Sequence, residues 1–100
     1  MNSIIFCGVI VGDHKVVYSN KDKNNKLIEF KVSVKRPFKS KEGIFEYDVL
    51  CVKVWIALID LDEIFDGNIV AVRGRLQSYS KSENDRIIYE IIAERVNSLE

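Results

Sequence analysis

The chain has 100 residues, enough for one small domain with a single hydrophobic core and too few for two cores. It is 47% hydrophobic and 30% charged with one proline, a composition that excludes a disordered or collagen-like chain. Fifteen Lys and Arg residues balance fifteen Asp and Glu residues, which excludes a uniformly basic protein. No apolar run approaches the roughly 18 residues that cross a bilayer, and the start lacks the basic region of a signal peptide. We expect residues 1–100 to form one cytoplasmic domain that does not contact membranes.

The charges are unevenly distributed along the chain. Nine of the fifteen cations lie between positions 15 and 41, where only Asp22 and Glu29 oppose them, and the sign reverses between positions 42 and 72. Because local potential steers an anionic ligand, a neutral chain can still carry a basic face. The alternative is that the lysines between positions 21 and 26 only solvate a hairpin tip.

The first quarter of the chain has the composition of a strand. The β-branched run from Ile4 to Val11 is too short for a typical helix, and Gly8 inside it predicts a bend or bulge. Residues 16–18 continue the strand after a break at residues 12–13. The polar segment 19–26 then predicts a long hairpin loop.

The second predicted strand has the clearest alternation in the sequence. Apolar and polar residues alternate from Ile28 to Lys35, which is typical of a half-buried strand. We expect Pro37 to stop this strand, because proline has no N–H to donate to a ladder. Residues 39–43 form the next hairpin loop.

The third predicted strand, residues 44–56, has two informative faces. One face carries Leu50, Val52 and Val54, which form a core set. The opposite face is an aromatic stripe, in which aromatic side chains alternate with a cation: Phe45, Tyr47, Val49, Cys51, Lys53 and Trp55. Two interpretations are open. The stripe is exposed beside Lys31 and Lys35, or it is buried in the core or in an oligomer contact.

The remaining sequence predicts one short helix and two strands. Apolar residues recur at helical spacing over residues 57–65, and Gly67 stands where a C-cap glycine belongs. Strands follow at residues 68–79 and 86–99, with a loop at residues 81–85. This order predicts an all-β OB-fold, a five-stranded Greek-key barrel with one short helix between strands three and four.

Several segments resemble one family in order along nearly the whole chain. Met1–Gly8, Glu29–Lys39, Cys51–Trp55, Val70–Gln77 and Ala93–Val96 are similar to the strands of bacterial and phage single-stranded DNA-binding proteins. The resemblance implies sequence-tolerant binding of single-stranded DNA in replication, recombination and repair. It also implies a homo-oligomer, with a tetramer favoured and a dimer as the alternative.

The resemblance also implies which aromatic residues stack on bases. Two family positions map onto Phe38 and Trp55, and a third falls on Val49, where this chain departs from the family pattern. Neighbouring residues on the same face offer a substitute platform, and the fourth position lies in the last hairpin. The predicted stacking residues are Phe38, Trp55, Tyr47, Phe45 and Tyr79.

Cations beside those rings would hold the phosphates. Neutralising a phosphate on a single strand releases counterions and gives a salt slope of about −0.7 per contact. The candidate phosphate contacts are Lys31, Lys35, Arg36, Lys53, Arg73 and Arg75.

The sequence predicts packed thiols at the two cysteines, Cys7 and Cys51, and a turn residue at His14. We therefore expect no cofactor, no metal and no enzymatic activity.

Other functions fit the same fold. In a replication-restart or primosome-type assembly module, Phe45, Tyr47 and Trp55 would lie in a protein interface, and RNA could use the same stacking platform. Family members usually continue into a flexible linker and an acidic tip that docks replication and repair proteins. This chain stops at Glu100, so we expect either the core of a longer protein or a tailless member, with such partners only where a tail exists.

Overall fold

A computed structural model describes residues 1–22, 24–81 and 83–99. Lys23 of the predicted lysine-rich tip and Ser82 of the last predicted loop lie outside the described residues. Five strands form a closed barrel in the order β1-β2-β3-β5-β4. They are β1 (Ile4–Ser19), β2 (Lys26–Lys39), β3 (Phe45–Trp55), β4 (Ile69–Lys81) and β5 (Arg86–Ser98). Neighbouring strands are antiparallel except for the parallel pair β3 and β5. The predicted OB-fold is confirmed. Within the described ranges, no helix is long and apolar enough to cross a membrane.

The core follows the alternation of β2 and β3. Phe30 lies directly across from Val52, and Ile28 across from Val54, and all four side chains are at most 1% exposed. Strands β1, β4 and β5 complete the interior with Ile10, Val70, Val72 and Ala93. Burying an aliphatic or aromatic side chain of this size contributes about 1.5–3 kcal/mol. The intervening residues of each strand therefore face outward.

Strand β1 is one continuous strand rather than two segments. It pairs with β4 from Ile4 to Val9 and with β2 from Val9 onward, and the register with β2 shifts between Val11 and Lys15. The register shift includes residues 12–13, where a break is predicted, and Gly12 has a φ of +75°. At Gly8 the register with β4 is unbroken. A Cβ at Gly8 would overlap the carbonyl oxygen of Ser33, so this glycine permits close approach of β2.

Strand β2 runs past Pro37, contrary to the expectation that this proline would end it. Lys35 pairs with Tyr47 and Lys39 pairs with Phe45, so residues 36–38 lie opposite the single residue Glu46. The proline falls in this irregular stretch, where its missing N–H costs no ladder hydrogen bond. The hairpin of β2 and β3 is therefore longer than predicted.

The prediction of a single short helix over residues 57–65 is wrong. The segment forms two 3₁₀ turns, Ile56–Leu58 and Leu61–Glu63. Ile59 is extended between them, with φ −135° and ψ 161°. The carboxylate of Asp60 accepts a hydrogen bond from the backbone N–H of Asp62 at 3.0 Å, which caps a new turn instead of continuing the first. Both turns are too short to act as an α-helix.

Candidate nucleic-acid interface

The aromatic stripe of β3 lies on the outer surface of the barrel. Tyr47 is 58% exposed and Val49 59% exposed, while Trp55 is half-buried. The alternate residues Val52 and Val54 are fully buried, as the period of two requires. The stripe is therefore not part of this barrel's own core, and its exposure fits both a free ligand-binding surface and a contact with another chain.

One end of the stripe is the hairpin end, where aromatic rings lie beside cations from β2. The Nζ atom of Lys35 lies 3.7 Å from the centroid of the Phe45 ring, and that of Lys39 lies 5.2 Å from it. Both distances fit cation–π contacts. Within the described chain, neither lysine has a carboxylate oxygen within 4.0 Å. Both cations are thus available to an anionic ligand.

Phe38 and Arg36 lie in the irregular part of β2 and differ in surroundings. Phe38 is 76% exposed. The guanidinium of Arg36 donates to Glu46 Oε2 at 2.6 Å and to Asp48 Oδ1 at 2.8 Å. Asp48 follows the parity of the core residue Val52, so this ion pair lies on the face opposite the aromatic stripe. Phe38 is therefore exposed to solvent, whereas Arg36 is ion-paired with two carboxylates.

The ion pair of Arg36 also affects titration. The hydrogen bond and the positive charge of Arg36 lower the pKa of Asp48 below its ordinary value of 3.8. In the same way, Asp48 raises the pKa of Arg36. The predicted phosphate contact at Arg36 has its charge already balanced by protein groups.

The other end of the stripe is the groove end, which opens between β3 and the hairpin of β4 and β5. A shallow cavity of about 160 Å³ lies there. Its lining includes Cys51 and Lys53 of β3, Tyr79 of β4 and Glu90 of β5. The structure thus brings the predicted residue Tyr79 to the aromatic stripe, with Ile88 as its cross-strand partner.

Lys53 is not free in this groove. Its Nζ atom donates to Glu90 Oε1 at 3.0 Å, and Glu29 lies directly across from it on β2. The hydrogen bond that Lys53 donates to the Glu90 carboxylate raises the pKa of Lys53. Partial burial, together with the charge of Glu29, raises the pKa of the neighbouring Cys51 thiol. Both Cys51 and Cys7 are exposed, so the prediction of packed thiols is wrong. The cation of the stripe is therefore balanced by carboxylates.

The other predicted cations lie at different distances from the stripe. Lys31 is exposed and pairs directly with Cys51 of the stripe. Arg75 and Lys53 both pair with Ile92, from opposite sides, so Arg75 lies across β5 from the stripe. Arg73 is paired with Arg95 and borders a separate cavity of about 220 Å³. That cavity is lined by residues of β1, β4 and β5, so Arg73 lies on a different part of the barrel from the stripe.

Two aromatic residues near the stripe, Tyr18 and Tyr89, were missed by sequence reasoning. The rings of Tyr18 and Trp55 are 5.9 Å apart at 88°, an edge-to-face pair. Tyr89 is 65% exposed and lines the groove cavity. The pairing of Tyr18 with Leu27, and of Leu27 with Trp55, is the signal that locates Tyr18. That signal depends on the bulge in β1, whose size the sequence does not reveal.

A closed five-stranded barrel with this strand order defines an OB-fold domain, and this one carries an exposed aromatic and basic face on β2 and β3. Residues 1–99 match the single-strand binding protein family, and the chain belongs to it. It is 28% identical over 105 residues to the single-stranded DNA-binding protein of Streptococcus pneumoniae serotype 4 (strain ATCC BAA-334 / TIGR4). That alignment covers all of this chain and 66% of the relative, so the chain spans about two thirds of that protein.

Solved structures share the fold at lower identity. The SSB of Plasmodium falciparum, solved in complex with ssDNA, superposes with a TM-score of 0.74 at 18% identity, covering 100% of this chain and 96% of that one. The N-terminal domain of PriB from Thermoanaerobacter tencongensis, described as dimeric, gives 0.72 at 17% identity, covering 99% and 97%. At these identities the likeness establishes the fold.

Proposed function

We propose that this chain binds single-stranded DNA with little sequence preference, through the aromatic stripe and the lysines beside it. The observation that carries the proposal is the hairpin end, where Phe45 and Tyr47 are exposed next to Lys35 and Lys39. Membership of the single-strand binding protein family and the name of the Streptococcus pneumoniae relative support it.

The chemistry of the stripe suits a single strand. Every base has a π-face, and stacking on an aromatic ring contributes about 1–3 kcal/mol per base whatever the sequence. A duplex hides those faces between its base pairs. Lysines beside the rings attract the phosphates and release their counterions. The eleven residues of β3 extend over about 35 Å at 3.2–3.4 Å per residue, a length along which several bases can stack.

We also propose that the protein acts in the cytoplasm in DNA replication, recombination and repair, as a homo-oligomer that binds without catalysis. The outward residues Ile5, Val9 and Val11 of β1 are exposed and apolar, which supports contact with a second copy. A tetramer is favoured and a dimer is the alternative. Docking of replication and repair proteins would need an acidic tail beyond this sequence.

A second candidate function is that of an assembly module in replication restart. The fold likeness to the PriB domain, with a TM-score of 0.72, is the observation that favours it. In that case Phe45, Tyr47 and Trp55 would be covered by a protein partner. Their substitution would then change assembly and leave DNA affinity unchanged.

A binding titration separates these functions. Fluorescence anisotropy of labelled oligo-dT is measured with the full chain, beside a duplex of equal length and oligo-U. We expect sub-micromolar affinity for oligo-dT and weaker binding of duplex. Each phosphate contact should lower the logarithm of the binding constant by about 0.7 for every tenfold rise in salt concentration. Equal affinity for duplex, or no binding, would overturn the proposal. Tighter binding of oligo-U would identify RNA as the ligand.

A further inference from the structure

The groove end of the stripe contains a chain of four hydrogen-bonded side chains. Arg75 Nη1 donates to Gln77 Oε1 at 2.9 Å, and Gln77 Nε2 donates to Glu90 Oε2 at 3.4 Å. The other carboxylate oxygen of Glu90 accepts from Lys53 Nζ at 3.0 Å. We call this set the Glu90 network. It connects two of the predicted phosphate contacts to one carboxylate.

The ion pair in this network is more sheltered than the pair at the hairpin. The side chains of Lys53 and Glu90 are 25% and 17% exposed, whereas those of Arg36 and Asp48 are both 47% exposed. Charges that are partly withdrawn from water are screened less by salt and interact more strongly. Glu90 therefore holds Lys53 more firmly than an exposed carboxylate would.

A second carboxylate adds to the negative charge in the groove. Glu29 lies across from Lys53, and its side chain is 16% exposed. Its Oε1 atom lies 3.4 Å from Lys15 Nζ, so two lysines face two carboxylates in this region. A phosphate that approaches Lys53 must either displace Glu90 or lie close to two carboxylates, which repel it. Both possibilities cost free energy.

We propose that Glu90 opposes phosphate binding at the groove end by occupying Lys53 directly and Arg75 through Gln77. The inference rests on the proposed function and deepens it. Glu90 thereby limits the affinity of the protein for the phosphate backbone of the strand. Contact with the phosphates is thereby concentrated at Lys35 and Lys39 of the hairpin end, while the groove end offers the rings of Tyr79 and Tyr89 for stacking.

The substitution Glu90→Gln tests this role because it removes the charge and keeps an oxygen that accepts hydrogen bonds. We expect oligo-dT affinity to rise about two- to five-fold, the size typical of one partly exposed ion pair. We also expect the salt slope to steepen by about 0.7 for each phosphate that Lys53 or Arg75 gains. In the Lys53→Gln background, most of this gain should disappear.

Glu94→Gln is the matched control. It makes the same chemical change on the same strand, at an exposed residue beside the register shift of β4 and β5. In the described chain, Glu94 has no cation within 4.0 Å. This variant measures the effect of one lost negative charge on the protein as a whole. Thermal unfolding of each variant checks that the barrel is intact.

The outcomes separate the inference from the proposed function. Failure of the wild-type protein to bind oligo-dT overturns the proposed function and the inference together. If the wild type binds, the inference alone is overturned by any of three results. Glu90→Gln weakens binding, it matches Glu94→Gln, or its gain persists in full without Lys53.

Discussion

The two ends of the aromatic stripe carry similar residues in different surroundings. At the hairpin end, Phe45 and Tyr47 are exposed and Lys35 lies over an aromatic ring. At the groove end, Trp55 packs edge-to-face on Tyr18, and Lys53 is held by Glu90. Alternation therefore puts a residue on one face, whereas the neighbouring strand decides whether its charge is available to a ligand.

The neighbouring strands explain this difference. At the hairpin end, β3 has only β2 beside it, and β2 contributes lysines to the shared outer face. At the groove end, β3 also meets β5, which contributes Glu90. We therefore expect the hairpin end to supply most of the salt-dependent attraction, and the groove end mainly stacking.

The largest expected effect is the loss of the hairpin-end rings. The double variant Phe45→Ala and Tyr47→Ala should lose about 1–3 kcal/mol of binding free energy for each base that no longer stacks. Thermal stability should change less than on truncation of a core ring such as Phe30, because Tyr47 is 58% exposed and Phe45 36% exposed. Phe65→Ala is the control, since it removes an exposed ring outside the stripe. Oligo-dT affinity equal to that of the wild type would remove the hairpin end from the binding site.

A gain of affinity is expected where the stripe has a gap. Val49 is exposed between the two ends and lies across from the small residue Ser33, so there is room for a larger side chain. Val49→Trp should strengthen oligo-dT binding by up to about 1–3 kcal/mol, the contribution of one stacked base. Val49→Ala should bind as the wild type does. No gain from tryptophan would mean that the strand does not cross the middle of β3.

The salt dependence should distinguish the lysines of the two ends. Lys35→Gln should reduce the salt slope of oligo-dT binding by about 0.7, because a phosphate contact is lost. Lys53→Gln should leave the slope nearly unchanged, because Glu90 already occupies that cation. The measurement is the anisotropy titration repeated over a series of salt concentrations. A larger change of salt slope from Lys53→Gln than from Lys35→Gln would mean that the groove end, not the hairpin end, supplies more of the phosphate contacts.

The smallest expected effect concerns the pair of Arg36 and Asp48, and it depends on pH. The pKa of Asp48 is lower in the folded protein than its ordinary value of 3.8. The ion pair therefore stabilises the fold fully above that value, and the stabilisation is lost as pH falls through the lower pKa of the folded state. Asp48→Asn should melt below the wild type at neutral pH, and the difference should shrink in acid. A difference that grows in acid would contradict this assignment.

The strands and the core could be predicted from sequence because one face of each strand must be buried. The alternation from Ile28 to Lys35, and that around Val52, predicts both partners of the central hairpin correctly. Two predictions of element ends fail because a local interaction overrides the sequence pattern. Pro37 reads as a strand end, yet an irregular pairing accommodates it, and the cap at Asp60 divides a helical pattern into two 3₁₀ turns.

The candidate site could be predicted in part. The stripe on β3 could be predicted from alternation alone, but only the packing of the barrel shows that this face is exposed. The partner of Lys53 lies 37 residues away, on a strand that runs parallel to β3. Arg36 turns to carboxylates on the face opposite the stripe. Such contacts depend on register and on bulges, which short-range patterns do not determine.

The most direct test uses Trp55, the only tryptophan in the chain. Its intrinsic fluorescence is titrated with oligo-dT and with a duplex of equal length, beside the anisotropy of the labelled strand. We predict quenching by the single strand that saturates together with the anisotropy, and little response to the duplex. Binding by anisotropy without any change in Trp55 fluorescence would contradict the claim that the strand lies along the aromatic stripe.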